Sequence, residues 1–222
     1  MSKRVDNANI RVHRFLPLTE AEGPGRRAAI WVQGCPIHCA GCFNRRTWSF
    51  RGGFVRTVGD LFQEVTAQRG LEGVTFTGGE PFAQAGPLAK LGRLCREAGL
   101  SVVTFSGYDY GRLRASRQRD WCDLLAVTDL LLAGPFIKAQ EDSSRPWVGS
   151  SNQEFVFLTD RYRSLEEDVR AIPNRLEVRV DADGAVSLNG TAPEADVRAI
   201  RRQLAGLGLR LSNGRSGNTW RR

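Results

Sequence analysis

The sequence predicts an α/β protein with a small C-terminal α+β appendage, on three observations. Short apolar, β-favouring runs alternate with helix-like stretches of roughly 10 to 15 residues over the first two thirds, the pattern of βαβ units around a mostly parallel sheet. The motifs that suggest chemistry fall where those strands end, which is where parallel α/β proteins carry their sites. Past about residue 158 the texture changes to a hairpin signature followed by one amphipathic stretch.

The elements follow in order. "AAIWVQ" (28 to 33) is a buried strand that leads straight into a cluster of cysteines. "TVGDLFQEVTAQRG" (57 to 70) is a helix with Thr57 as N-cap and Gly70 as its stop. "GVTFTGG" (73 to 79) is a buried strand running into a glycine turn. "GPLAKLGRLCREAGL" (86 to 100) sets Leu88, Leu91, Leu94 and Cys95 on one helical face and closes at Gly99. "SVVTFSG" is the next strand, a polar helical stretch containing "DWCDLLAV" follows, and "TDLLLAGPF" (128 to 136) is again strand-like. "LEVRVDADGAVSLNG" (176 to 190) is a hairpin around Asp183-Gly184, and "APEADVRAIRRQLAGLG" (192 to 208) an amphipathic helix. The polar end, "LSNGRSGNTWRR", is expected to be mobile. Residues 1–158 are expected to form the core and 159–222 the appendage.

Composition narrows the function classes. A hydrophobic fraction of 41% and a charged fraction of 25% suit a globular protein, and no run reaches the roughly 18 apolar residues of a membrane span. The charged start is followed by no apolar segment, so it does not read as a secretory signal, and a cytoplasmic location is expected. The formal charge is +8, with Arg26, Arg27, Arg45, Arg46, Arg51 and Arg56 around the cysteines and a second run at Arg112, Arg114, Arg117 and Arg119. Such patches attract anions. They lack the interleaved aromatics of a single-strand platform, so a solvated basic face is favoured over nucleic-acid binding.

The stretch "WVQGCPIHCAGCFNRRTW" holds three of the five cysteines, Cys35, Cys39 and Cys42, in the spacing C-x3-C-x2-C. Three readings compete. Disulfides are disfavoured by the odd count and a reducing compartment. Structural zinc usually takes four ligands, and His38, offered as the fourth, abuts Cys39. An iron–sulfur cluster is held by thiolates, normally four; three would leave one iron open to a substrate or cofactor.

The C-x3-C-x2-C loop after the first strand, together with "TFTGGEP" (75 to 81), resembles the radical S-adenosylmethionine enzymes. Gly78 and Gly79 let the chain approach a ligand closely, and Glu80 can accept charge-assisted hydrogen bonds from an ammonium. "EGPGRR" (22 to 27), "GCPIHCAGCFNRRTW" (34 to 48), "FSGY" (105 to 108), "LLLAGPF" (130 to 136) and "WVGSSNQ" (147 to 153) extend the likeness, over residues 9 to 158, to the activating proteins of anaerobic ribonucleotide reductase and pyruvate formate-lyase. The resemblance implies an incomplete (β/α) barrel, a [4Fe-4S] cluster on Cys35, Cys39 and Cys42, and S-adenosyl-L-methionine along Gly41, Cys42 and Phe43, its methionine end held by Gly78, Gly79 and Glu80. It implies reductive cleavage of that cofactor, with an electron donor such as flavodoxin or ferredoxin. The 5′-deoxyadenosyl radical then abstracts hydrogen from a glycine of a partner glycyl-radical enzyme. The same body acting on a peptide or small molecule is the alternative, and a non-catalytic metal-binding module a third.

Other tempting residues have plainer explanations. Cys95 and Cys122 are expected to be core residues on helices. His38 either packs in its loop or donates to a cluster sulfide, and His13 has no partner in view. Tyr108, Asp109 and Tyr110 are expected on the top face, where "GSSNQ" (149 to 153) offers small donors to the open side. Trp48 and Trp147 are expected to pack.

Overall fold

The computed structural model describes residues 8–180, 184–208 and 210–211. In chain order it comprises β1 (Asn9–Thr19), β2 (Arg27–Val32), β3 (Phe54–Thr57), α1 (Val58–Ala67), β4 (Gly73–Gly78), α2 (Ala85–Glu97), β5 (Ser101–Ser106), α3 (Tyr110–Ala115), α4 (Arg119–Val127), β6 (Leu130–Ala133), β7 (Glu154–Phe157), β8 (Leu176–Val180), β9 (Ala185–Gly190), α5 (Glu194–Gly206) and β10 (Arg210–Leu211). Thr57 does cap α1, its hydroxyl accepting the Asp60 N–H at 3.0 Å. The polar helical stretch after β5 folds as two helices, α3 and α4, with "DWCDLLAV" wholly in α4.

Seven strands form one mixed sheet in the order β3-β1-β2-β4-β5-β6-β7. Its centre, β2-β4-β5-β6, is parallel, as the alternation of strands and helices predicts. The flanks were not foreseen: β1 runs antiparallel beside β2, β3 beside β1, and β7 beside β6. Side chains alternate across a strand, so β2, buried at every position, serves two layers. Ile30 and Val32 join Val74, Phe76, Val102 and Leu131 against Leu61, Leu88, Leu91 and Leu124 of the helices. Ala29 and Trp31 point the other way, towards Leu16 of β1.

Arg27 is the exception within the first basic patch, whose Arg26, Arg45, Arg46 and Arg51 are exposed as a solvated face requires. Its side chain is fully buried on the face away from the helices. Its guanidinium donates to Thr75 Oγ1 at 2.8 Å, the Pro24 carbonyl at 3.0 Å, the Val74 carbonyl at 2.7 Å, Ser101 Oγ at 3.1 Å and Tyr162 Oη at 2.8 Å. Neighbouring strands are thereby tied to the segment that follows β7. The cost of burying a charge is met by a full set of acceptors.

The C-terminal residues form a second sheet, β10-β9-β8, with β8 and β9 in the antiparallel hairpin expected. Of its turn, Asp183 lies outside the described residues, as does the polar tail from 212 onward. The hairpin is held at the far end of β1. Glu177 accepts from Thr19 Oγ1 at 2.9 Å and from the Glu20 N–H at 2.7 Å, Gly190 N donates to Glu22 at 2.9 Å, and Arg14 reaches Ser187 Oγ at 3.0 Å. Because Thr19 pairs with Arg27 at the start of β2, this junction lies at the opposite end of the sheet from the cysteine loop. Among the described residues no helix is long and apolar enough to cross a membrane.

Candidate iron–sulfur and cofactor site

The C-terminal ends of β2, β4, β5 and β6 surround one open cleft, and Cys35, Cys39, Cys42, Gly78, Gly79, Glu80 and Phe136 line it. The cysteine loop owes its shape to a clamp at its base. Gly34 and Cys35 donate to the carbonyls of Thr47 and Trp48 at 2.6 and 3.1 Å, closing the loop on itself. Gln33, at the end of β2, is buried and donates to the carbonyls of Arg46 and Ser49 at 3.0 and 2.6 Å. Its Oε1 lies 2.8 Å from His13 Nδ1, which gives His13 the partner that sequence reasoning did not find. Gly41 turns the chain at φ 82°, where a side chain would be strained.

Each of the three sulfurs meets backbone N–H groups. Burial pushes the Cys35 and Cys39 thiols up from their ordinary value, against the N–H groups of Ile37 and His38 on Cys35 and of Phe136 on Cys39. Asn44 N donates to Cys42 Sγ at 3.3 Å. Such donors favour a thiolate over a thiol, as a metal-bound sulfur requires. Among the described residues no three His, Cys, Asp or Glu side chains are gathered as around a metal ion. The three thiols are instead spread around one cleft.

Cys95 is buried in the helical layer as expected. Cys122 is not: it is exposed, its Sγ donating to the Ser116 carbonyl at 3.4 Å. The inward positions of α4 are Trp121, Leu124 and Val127, and Cys122 is turned about 100° from Trp121 by the helical pitch.

Glu80 closes the floor. Its residue is 1% exposed. One carboxylate oxygen accepts from Phe82 N at 2.9 Å and Ser106 Oγ at 3.0 Å, the other from Gly107 N at 2.8 Å. Burial pushes its carboxyl up to about 7 although these donors pull it down. Gly78 and Gly79 are needed for close approach, but to the neighbouring strand end. A Cβ on Gly78 would lie 2.7 Å from Trp31 Cα, and one on Gly79 2.4 Å from the Gly34 carbonyl. Gly79 N and Glu80 N donate to the Val32 and Gly34 carbonyls at 2.9 Å each, locking the turn to the base of the cysteine loop.

The far wall is the segment 134–153. Gln153 Nε2 donates to the Gly134 carbonyl at 3.1 Å while its Oε1 accepts from Gly149 N at 2.8 Å, and Asn152 Nδ2 holds the Pro135 carbonyl at 2.8 Å. The "GSSNQ" donors thus brace the wall, and Gln153 also lines the cleft. Phe43 leans on Phe136, ring centres 5.1 Å apart, so the two lips meet. His38 is an exposed loop residue stacked 4.6 Å from Trp48. Tyr108 packs 4.9 Å from Trp121 under Arg112 rather than standing free, and Trp147 packs against Phe155.

A test of whether these residues suit an iron–sulfur group comes from Trp48. It lines the cleft, yet its indole N–H is buried without an acceptor. An orphaned buried donor costs about 1–3 kcal/mol. A sulfide-bearing or polar ligand beside the indole would supply the missing acceptor. Three thiols with N–H donors, one spare indole N–H and a buried carboxylate fit such a group together with a cationic cofactor.

Residues 21–156 match the family model of the 4Fe-4S single cluster domain. The chain is 32% identical over 152 residues to the anaerobic ribonucleoside-triphosphate reductase-activating protein of Vibrio cholerae, covering 64% of this chain and 94% of that protein. The Escherichia coli K12 protein of the same description is 28% identical over 149 residues. The pyruvate formate-lyase-activating enzyme of Clostridium pasteurianum is 32% identical over 128 residues, 55% of this chain and 50% of that enzyme. Among solved structures, QueE from Escherichia coli aligns over 48% of this chain and 58% of that one, with a TM-score of 0.40 and 21% identity.

Proposed function

This chain belongs to the 4Fe-4S single cluster domain family, and from that premise we propose that it is a radical S-adenosyl-L-methionine activase acting on a glycine of a glycyl-radical enzyme akin to anaerobic ribonucleotide reductase. One observation carries the proposal: three cysteines from one clamped loop and a buried carboxylate just past β4 face a single cleft at the C-terminal ends of four parallel strands. Cys35, Cys39 and Cys42 would hold a [4Fe-4S] cluster, with the N–H groups of Ile37, His38, Phe136 and Asn44 stabilising the negative sulfurs. When bound, that group supplies one-electron reduction of a sulfonium, the chemistry that opens its C–S bond. Glu80 would bind the ammonium of the cofactor's methionine end, which a buried carboxylate with an acceptor site to spare is suited to do. Gly41, Cys42 and Phe43 would lie along its adenosyl end, Gly78 and Gly79 fixing the turn that presents Glu80.

The seven-stranded sheet, whose outer strands β3 and β7 do not pair with each other, supports an incomplete (β/α) barrel. Residues 1–158 would form the catalytic core and 159–222 an appendage anchored away from the cleft, in line with the match ending at residue 156. A reductant protein such as flavodoxin or ferredoxin and a cytoplasmic location, where thiols stay reduced, complete the proposal. The test is anaerobic reconstitution with iron and sulfide, then dithionite and S-adenosyl-L-methionine. The expected product is 5′-deoxyadenosine, lost in Cys39→Ala. A glycyl radical on the added reductase, seen by electron paramagnetic resonance, separates this function from action on a peptide or small molecule.

A further inference from the structure

From Gly23 to Gly59 the chain carries six arginines and no acidic residue. The fold sorts these arginines by use. Arg27 is buried, Arg56 is paired with Glu64, and Arg26 lies beside Gly70 at the far end of the sheet. Arg45, Arg46 and Arg51 are left exposed on the returning limb of the cysteine loop. Two phenylalanines accompany them. Phe43 is 66% and Phe50 52% exposed, and among the described residues they are the only aromatics in the set of exposed large apolar side chains.

Neither ring is loose. Phe43 is tilted at 59° against Phe136 of the opposite lip, and Phe50 packs over Gly34, where an added Cβ would lie 2.5 Å from the ring. Arg45 is held too, its guanidinium 5.0 Å from the centre of the Trp48 ring. Pre-ordered aromatic and arginine side chains lose little entropy on binding and dominate protein interfaces.

We propose that Phe43, Phe50, Arg45, Arg46 and Arg51 form a docking lip for an extended partner segment that carries acidic side chains and an apolar residue beside the glycine it delivers to the cleft. This deepens the activase reading and rests on it for the chemistry inside the cleft. Charge complementarity selects the partner: the cysteine loop from Gly34 to Arg51 carries three exposed arginines and no acidic residue, so it repels basic segments and steers acidic ones. Nucleic acid is disfavoured because Phe43 and Phe50 each already pack on a neighbour, Phe136 and Gly34, rather than standing as a series of free platforms for successive bases.

The test uses the full chain and fluorescent peptides of about 15 residues centred on glycine, with one leucine and flanks either of glutamate or of lysine. The glutamate peptide is expected to bind at least about tenfold tighter than the lysine peptide, with a preference that shrinks as salt rises. Arg45→Glu/Arg51→Glu should abolish or invert that preference, whereas Arg45→Lys/Arg51→Lys should keep it. Equal binding of the two peptides, an unchanged preference in the glutamate variant, or displacement by oligothymidylate at a lower concentration than by unlabelled peptide overturns the proposal. Cleavage of S-adenosyl-L-methionine by the unaltered chain is measured separately, so a failed activase reading and a failed docking lip are told apart.

Discussion

The carboxylate of Glu80, just past β4, accepts the backbone N–H of Gly107, just past β5, at 2.8 Å. One side chain thereby joins two strand ends at the floor of the cleft. With Phe82 N and Ser106 Oγ also donating, three of the roughly four acceptor sites of the carboxylate are filled and one remains for a ligand.

Replacing that carboxylate should separate binding from cluster assembly. Glu80→Gln removes the charge that meets an ammonium, an interaction worth about 1.5–3 kcal/mol, so affinity for S-adenosyl-L-methionine should fall by about ten- to a hundredfold. Iron content after reconstitution should not change. Calorimetric titration beside an iron assay checks both; unaltered affinity would remove Glu80 from the binding site.

The indole of Trp48 offers an independent readout. Trp48→Phe keeps an aromatic ring beside His38 and Arg45 but deletes the unpartnered N–H. Hydrogen bonds to cluster sulfurs favour the reduced, more negative state, so the variant's cluster should be harder to reduce. A redox titration followed by electron paramagnetic resonance measures this. An unchanged potential would mean that the indole N–H serves no sulfur.

Tyr162 links the C-terminal third to the sheet through Arg27 at 2.8 Å and Ser101 Oγ at 2.6 Å. Tyr162→Phe leaves the buried guanidinium short of one acceptor, for a loss of about 2 kcal/mol in urea denaturation. Arg27→Met should cost more, since it also strips Thr75 and the Val74 and Pro24 carbonyls of their donor.

The hairpin junction carries a pH dependence of its own. Burial pushes the Glu22 carboxyl up from 4.5 to about 7, although Gly190 N donates to it. The folded chain therefore holds this proton more tightly than the unfolded one. Stability from Glu22 is complete below about 4.5 and is lost as pH rises through about 7. Thermal melting of Glu22→Gln, compared with the unaltered chain, should show a gap that widens in favour of the variant between those limits. A constant gap would place the Glu22 carboxylate in water.

The parallel centre of the sheet was legible because β2, β4, β5 and β6 are short apolar runs closed by turn residues, and α1 and α2 carry a helical apolar period. β1 was not: "NIRVHRFLPLT" mixes arginines, a histidine and a proline with its apolar positions, and only pairing with β2 and β3 makes it a strand. Arg27 looked like half of a surface pair because its side-chain acceptors lie 48 to 135 positions away, at Thr75, Ser101 and Tyr162. The cysteine spacing and the Gly-Gly-Glu turn were legible because they are local. Gln33, which clamps the loop, carries no local signal; its role depends on where the chain returns at Arg46 and Ser49.

The most direct measurement is iron and acid-labile sulfide per chain after oxygen-free reconstitution, for the unaltered protein and for Cys35→Ala, Cys39→Ala and Cys42→Ala. About four of each in the unaltered chain, with visible charge-transfer absorption that any one substitution abolishes, is the expected result. One zinc and no sulfide, or iron uptake indifferent to all three substitutions, would contradict a cluster held by these three thiols.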